Sequence, residues 1–261
     1  MSNVFRERVL EGKVAYITGG SSGICLGIAE LFAEHGAAVA IQGRKQEKLD
    51  AAVGLLEAKG VRSIGYAADV RDYEATEKAI GDAAGRLGKI DILVCGAAGN
   101  FPAAVADMSA KGFKAVVDID LLGTFNTCRA AYEHLRKPGA SVIAISANHA
   151  SHAYAWQAHV CAAKAGVDRL TQVLALEWGP AGVRCNIIAP GPVDGTEGMR
   201  RLAPTAEMRE KVAKNVPLGR FAEIREVAEM ALYLASDAAS YVTGAVFTID
   251  GGSALQGFKL S

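Results

Sequence analysis

No apolar run in this sequence approaches the roughly 20 residues that cross a bilayer, and the opening stretch MSNVFRERVLEGK lacks the apolar core of a secretory signal. A charge excess of either sign is missing too. The 28 Lys and Arg residues balance 28 Asp and Glu, so no net field draws in nucleic acid or an anionic membrane surface. Cysteine is scarce: Cys25, Cys95, Cys128, Cys161 and Cys185 are odd in number, scattered and without paired spacing. That pattern excludes a disulfide framework and a zinc site, no metal is expected, and the thiols read as reduced. Aromatics reach only 7% and no Pro- or Ser-rich linker divides the chain, while 51% apolar residues exclude disorder and 29 aperiodic glycines exclude a collagen-like repeat. What remains is a single domain over 1–261, long enough to bury roughly three quarters of its unfolded surface.

Short β-rich runs alternate with longer amphipathic segments. Strands are predicted at 14–18, 38–42, 63–67, 92–95, 142–146, 184–189 and 245–249. Helices are predicted over 24–35, 46–59, 73–87, 112–136, 162–178 and 224–235. Continuous apolar strands alternating with helices call for a mainly parallel sheet covered on both faces, so the expected class is α/β: one doubly wound Rossmann-type domain with a seven-stranded sheet. The one irregular insertion, 192–217, is placed either as a substrate lid beyond a strand's carboxyl end or as a solvated surface helix.

The first strand runs directly into Thr18-Gly19-Gly20-Ser21-Ser22-Gly23-Ile24-Cys25-Leu26-Gly27, which opens the first helix. Glycines there permit a tight turn and close backbone approach, and the helix N-terminus offers amides to a diphosphate, so Gly19, Ser21, Ser22, Gly23 and Ile24 are candidate cofactor contacts. The second strand ends Gln42-Gly43-Arg44-Lys45, where an NAD-preferring site would carry an acid for the ribose hydroxyls. A cation in that place attracts a 2′-phosphate, so Arg44, followed by Lys45, points to NADP(H), the alternative being a solvated basic turn that pairs with nothing. Asp69 either reaches the adenine amino group or caps the turn after it.

With these residues in place the chain resembles the short-chain dehydrogenase/reductase family over essentially its whole length. TGGSSGICLG matches the family's TGxxxGxG region, and Asp69-Val70, Ala97-Ala98-Gly99, Pro190-Gly191 and Asp250-Gly251-Gly252 follow in the expected order. The resemblance adds Val70, Ala97, Lys164, Pro190 and Gly191 to the expected cofactor contacts. Most members carry Tyr-x-x-x-Lys with a Ser thirteen residues before the Tyr. Here Lys164 is present, but Val160 and Ala147 occupy the other two places, and a longer Tyr-x6-Lys spacing meets Gln157. The Gly99-Asn100-Phe101 turn, the Asp118–Asn126 stretch DIDLLGTFN, His159 five residues before Lys164, and PGPVDGTEGMRRL from Pro190 to Leu202 are together similar to the peroxisomal-type 2,4-dienoyl-CoA reductases. In that branch an Asp replaces the wider family's Asn and works with the Lys. The matching residue is Asp120.

The resemblance therefore implies NADPH-dependent reduction of 2,4-dienoyl-CoA to 3-enoyl-CoA, with Asp120 and Lys164 as the catalytic pair or, on the other reading, as a structural ion pair. Asn100, Phe101, His149 and His159 are candidate substrate contacts, each with a packing or solvent-facing alternative. Arg200 and Arg201 are candidates for the coenzyme A phosphates, or else lie on a solvated face. The rival readings are a reductase of another activated alkene or carbonyl, and an inactive NADP(H)-binding sensor. Family members pair their long helices across subunits, which implies a homotetramer, though a helix face buried within one chain produces the same apolar stripe. The ending Phe258-Lys259-Leu260-Ser261 is not a Ser-Lys-Leu-like peroxisomal address, so the expected setting is cytoplasmic.

Overall fold

Successive residues of a strand face opposite sides of a sheet, and that alternation explains the all-apolar strands here. In the computed structural model, which describes residues 7–255, Ala15 and Ile17 of the first strand enter one apolar cluster, while Val14 and Tyr16 enter another on the opposite face. The chain ending at Ser261, on which the targeting expectation rests, lies outside the described residues.

Seven strands form the sheet: β1 (Val14–Thr18), β2 (Ala38–Gly43), β3 (Ser63–Ala67), β4 (Ile92–Cys95), β5 (Ser141–Ile145), β6 (Arg184–Pro190) and β7 (Val246–Ile249). Their order is β3-β2-β1-β4-β5-β6-β7, and every pairing is parallel. The helices are α1 (Gly23–Glu34), α2 (Gln46–Glu57), α3 (Tyr73–Leu87), α4 (Ala110–Val117), α5 (Gly123–Ala131), α6 (Ala158–Trp178), α7 (Glu197–Leu202), α8 (Ala206–Lys214) and α9 (Ile224–Ala235). Phe32 and Ile28 of α1 and Leu232 of α9 fill one face of the sheet; Ile80 of α3, Cys128 of α5 and Trp178 of α6 fill the other. Gly27 lets α1 lie directly against α9, because a Cβ there would collide with Ile224. The doubly wound class read from the sequence is the one observed.

Chain order reverses between β1 and β4, the switch point where ligands enter a doubly wound sheet. Thr18 pairs with Cys95 there, so the loops after the two strands leave side by side. They are tied together by Gly96 N–H donating to Thr18 Oγ1 at 3.1 Å.

Two expected elements are built differently. The helix expected over 112–136 begins earlier, at Ala110 with Ser109 as its cap, and is interrupted by a wide π-turn at Asp118–Leu122 before α5. The helix expected from 162 begins at Ala158. The 192–217 segment holds two short helices, α7 and α8, whose first turns are capped by the Thr196 and Thr205 hydroxyls.

Candidate active site

A cleft of about 1040 Å³ opens at the carboxyl ends of the strands, a volume at the upper end of ligand pockets and enough for a cofactor and a substrate together. One wall is the loop from Gly19 to Cys25. Ser22, the N-cap of α1, is extended and makes no side-chain cap, and the first turn holds no acid, so the leading amides of α1 are free for an anion. Gly19 is left-handed (φ +73°), and a Cβ on it would stand 3.0 Å from Gly96 O, which leaves only glycine for this approach.

Every residue expected to hold the cofactor lines this cleft: Gly19, Ser21, Ser22, Gly23, Ile24, Arg44, Asp69, Val70, Ala97, Lys164, Pro190 and Gly191. Asp69 also grips Arg71 in a two-point pair, at 3.0 and 2.6 Å, and this guanidinium holds its carboxyl below the usual range.

Asp120 sits inside the π-turn, 1% exposed. Its Oδ1 accepts from Gly99 N–H at 2.8 Å, and its Oδ2 faces Lys164 Nζ at 3.2 Å. Lys164, on α6, donates to Ile145 O at 2.9 Å, fixing the ammonium at the end of β5. The turn is held by Thr124 Oγ1 donating to Asp120 O at 2.6 Å and by Gly123, where a Cβ would stand 2.5 Å from Val70. π-Turns widen a helix locally and recur at functional sites. Val160 and Ala147, which replace the tyrosine and serine of the wider family, line the same cleft. No hydroxyl stands at either place.

Asn100, His149 and Arg201 also line the cleft, whereas Phe101, His159 and Arg200 do not. His159 is fully buried, with Phe101 edge-on at 4.5 Å between ring centres. Helical rotation is the reason. At about 100° per residue, a side chain five positions before Lys164 points about 140° away from it, whereas seven positions bring the side chain back to nearly the same face. Arg200 turns outward and pairs with Glu197 at 2.6 Å; Arg201 shares that carboxylate at 3.0 Å while reaching Asn100 O at 3.5 Å. Asn148 is engaged elsewhere, donating to Asp250 Oδ2 and Ser253 Oγ. His149 stacks on Tyr154 at 4.3 Å, and burial together with the Lys164 cation lowers its pKa to about 4. It is neutral at physiological pH and can donate from one ring nitrogen.

Buried polar atoms nearly always find a partner, so those that do not point to a ligand or a solvent molecule. Asn100 Oδ1 and Gln157 Oε1 are buried without a partner, and both residues line this one cleft, as do Asp120 and Ser146. Sequence reading missed Ser146 and Gln157 as site residues. Their signals were present: Ser146 directly precedes Ala147, and Gln157 lies seven residues before Lys164 on its helix face. Asp168, one turn beyond Lys164 on α6, lies outside the lining of the cleft. Burial raises its carboxyl, against the opposing pull of Ser146 and Lys164.

The parallel sheet, the glycine cradle at its switch point and the buried lysine define a nucleotide-dependent oxidoreductase of the short-chain type. A family model described as enoyl-(acyl carrier protein) reductase matches residues 19–254, and the chain belongs to the short-chain dehydrogenase/reductase family, whose members bind a nicotinamide cofactor. It is 45% identical over 262 residues to a peroxisomal 2,4-dienoyl-CoA reductase, (3E)-enoyl-CoA-producing, of Arabidopsis thaliana, covering 97% of this chain and 88% of that one. It is 38% identical over 246 residues to a probable 2,4-dienoyl-CoA reductase of Bacillus subtilis named as (2E)-enoyl-CoA-producing, covering 93% and 97% of the two chains. Among solved structures, a short chain dehydrogenase from Bacillus anthracis superposes with a TM-score of 0.88 at 38% identity, over 96% of this chain and 100% of that one. Among the described residues no helix is long and apolar enough to cross a membrane. The Arabidopsis relative and others are named peroxisomal, so the cytoplasmic expectation gains no support.

Proposed function

We propose that this protein reduces 2,4-dienoyl-CoA to 3-enoyl-CoA with NADPH, an auxiliary step in the oxidation of unsaturated fatty acids. The observation that carries this reading is the buried Asp120–Lys164 pair facing a cleft in which Val160 and Ala147 stand where a carbonyl reductase needs hydroxyls. A carbonyl reductase must protonate an oxygen as that oxygen gains charge. A conjugated thioester avoids this, since reduction at C5 moves an electron pair through the diene to the thioester oxygen, and the proton is then added at C2.

The cradle at Gly19–Gly23 and the uncapped start of α1 fit the cofactor's diphosphate, and Arg44 fits a 2′-phosphate. When bound, the nicotinamide supplies the hydride. The chain's own residues do the rest. Lys164 holds the ribose side of the site and contributes positive charge. Asp120 orients a water whose proton goes to C2, its carboxylate charge held in place by Lys164 at 3.2 Å. Neutral His149 donates to the thioester oxygen as its charge grows. Asn100 and Arg201 border the acyl and coenzyme A path, and the 192–217 segment forms the lid above it.

The same reading includes a homotetramer, supported by exposed apolar side chains on the helices expected to pair, Phe113, Phe125 and Leu176 among them. Light scattering of the eluting protein tests that part. The activity is tested by following NADPH consumption and loss of dienoyl absorbance together, with trans-2,trans-4-hexadienoyl-CoA as substrate. We expect coupled loss of both signals, and none with a simple 2-enoyl-CoA. NADPH binding without turnover of a short or a long dienoyl-CoA would overturn the reading in favour of a sensor.

A further inference from the structure

We infer that Gln157 is a substrate-contacting residue whose side-chain amide donates a hydrogen bond to the thioester oxygen of the acyl-CoA, as a second donor beside His149. The inference rests on the dienoyl-CoA reading above and adds a residue to it. Gln157 is 5% exposed, lines the cleft, and has a side-chain oxygen that is buried without a partner. It occupies the N-cap of α6 and makes no side-chain cap there. Nothing in its own helix uses the amide.

The backbone around it is held on three sides. Gln157 N–H donates to Tyr154 O at 3.2 Å, and its carbonyl accepts from Cys161 N–H at 2.9 Å. The preceding residue, Trp156, has φ +63°, a left-handed conformation that a bulky side chain rarely adopts, and its carbonyl accepts from Ala103 N–H at 3.0 Å. Strain of this kind persists where surrounding structure enforces it, and it clusters at ligand sites. Here the left-handed turn delivers Gln157 onto the face of α6 that also carries Val160 and Lys164, and all three residues line the cleft.

The chemistry of the site selects the partner. A carboxamide is both donor and acceptor, and which atom points inward follows from the network it meets. The charge that develops during dienoyl reduction is negative and lies on the thioester oxygen, so the end that gains strength along the reaction is the N–H. A donor aimed at that oxygen contributes most in the transition state and little in the ground state. The site offers no hydroxyl at Val160 or Ala147, and Gln157, the N-cap of α6 three residues before Val160, fills that lack.

The test uses the intact enzyme and three variants, Gln157→Leu, Gln157→Glu and Gln157→His, each first checked for folding by circular dichroism and for NADPH affinity. Hydrogen bonding at the thioester oxygen red-shifts the absorbance of a dienoyl thioester, so the spectrum of hexadienoyl-CoA bound to the NADP⁺ complex reads the contact directly. We expect Q157L to lose about 10- to 100-fold in kcat and to lose part of the red shift, with NADPH affinity unchanged. Q157E, which puts a negative charge beside the developing oxyanion, should be at least as slow, and Q157H, which keeps a donor, should recover part of both rate and shift. Unchanged kcat and spectrum in Q157L would show that the amide meets only water and would overturn the assignment. So would loss of NADPH affinity with the red shift retained, which would place the amide on the cofactor. Failure of the wild-type enzyme to reduce any dienoyl-CoA is a separate outcome that ends the reading beneath the inference.

Discussion

Asp120 Oδ2 and Lys164 Nζ face each other at 3.2 Å, with the carboxylate wholly buried and the ammonium nearly so. The pair sits at the wall of the cleft, with Oδ1 tied to Gly99 N–H and the ammonium tied to Ile145 O. Removing one member of a buried pair leaves an uncompensated charge and costs about 3–5 kcal/mol, so Asp120→Ala would confuse catalysis with stability. Asp120→Asn also removes the charge facing Lys164, but it keeps the side chain's shape and an oxygen that can still accept from Gly99 N–H. It therefore disturbs packing less than alanine and is the better probe. We expect D120N to fold and bind NADPH while its turnover of hexadienoyl-CoA falls about 100-fold or more, the usual scale for a proton-transfer group. Full activity in folded D120N would make the pair structural only.

Arg44 is the cation at the end of β2, beside a cleft that holds no acid at the corresponding place. A charged hydrogen bond to a phosphate is worth about 1.5–3 kcal/mol, or roughly 10- to 100-fold in affinity. Arg44→Ala should therefore raise the KM for NADPH by that factor and leave the KM for NADH nearly unchanged. Steady-state kinetics with both cofactors distinguishes this from general damage to the cleft, which would raise both.

The sheet was legible because seven continuous apolar runs separated by helical periods leave few alternatives to a doubly wound parallel fold. The phosphate loop was legible because glycine chemistry is local: Gly19 needs its left-handed φ wherever the rest of the chain goes. The π-turn was not. Asp118-Ile119-Asp120-Leu121-Leu122 keeps helical composition and spacing, and the widening comes from tertiary contacts, Gly123 against Val70 and Thr124 on Asp120 O. His159 was selected through the resemblance, and what it packs against, the edge of Phe101, is visible only in the fold. Gln157 was passed over because it was judged only as a missing tyrosine, and its lack of a partner is visible only once the chain is folded.

His149 gives the site a pH signature. Burial and Lys164 lower its pKa from 6.5 to about 4, so between those values the unfolded chain binds a proton that the folded chain does not. Stability therefore rises with pH across that window: this contribution is complete above pH 6.5 and is lost as pH falls toward 4. Allowing for partial exposure, its size is about 2 kcal/mol. Urea unfolding of wild type and His149→Gln from pH 4.5 to 7 measures it. We expect the variant's stability to vary less over this range, and parallel curves would remove His149 as the source.

The position of the product's double bond tests the roles of Asp120 and its water more closely than rate alone. The Arabidopsis relative is named for a (3E)-enoyl product and the Bacillus subtilis relative for a (2E)-enoyl product, so the family's names divide on this point. Protonation at C2 gives the 3-enoyl thioester, while protonation at C4 gives the 2-enoyl thioester. If Asp120 orients the proton-donating water from a fixed place in the π-turn, only one carbon should be reached. Reaction in deuterated water should then place a single deuterium at C2, found by mass spectrometry and NMR of the hydrolysed product. In D120N the slow residual turnover should lose this selectivity, because an unoriented water reaches either carbon. Deuterium at C4 in the wild-type product would contradict the 3-enoyl assignment while leaving the enzyme a dienoyl-CoA reductase. A D120N product as selective as wild type would move the control of protonation away from Asp120, toward the donors that fix the thioester oxygen.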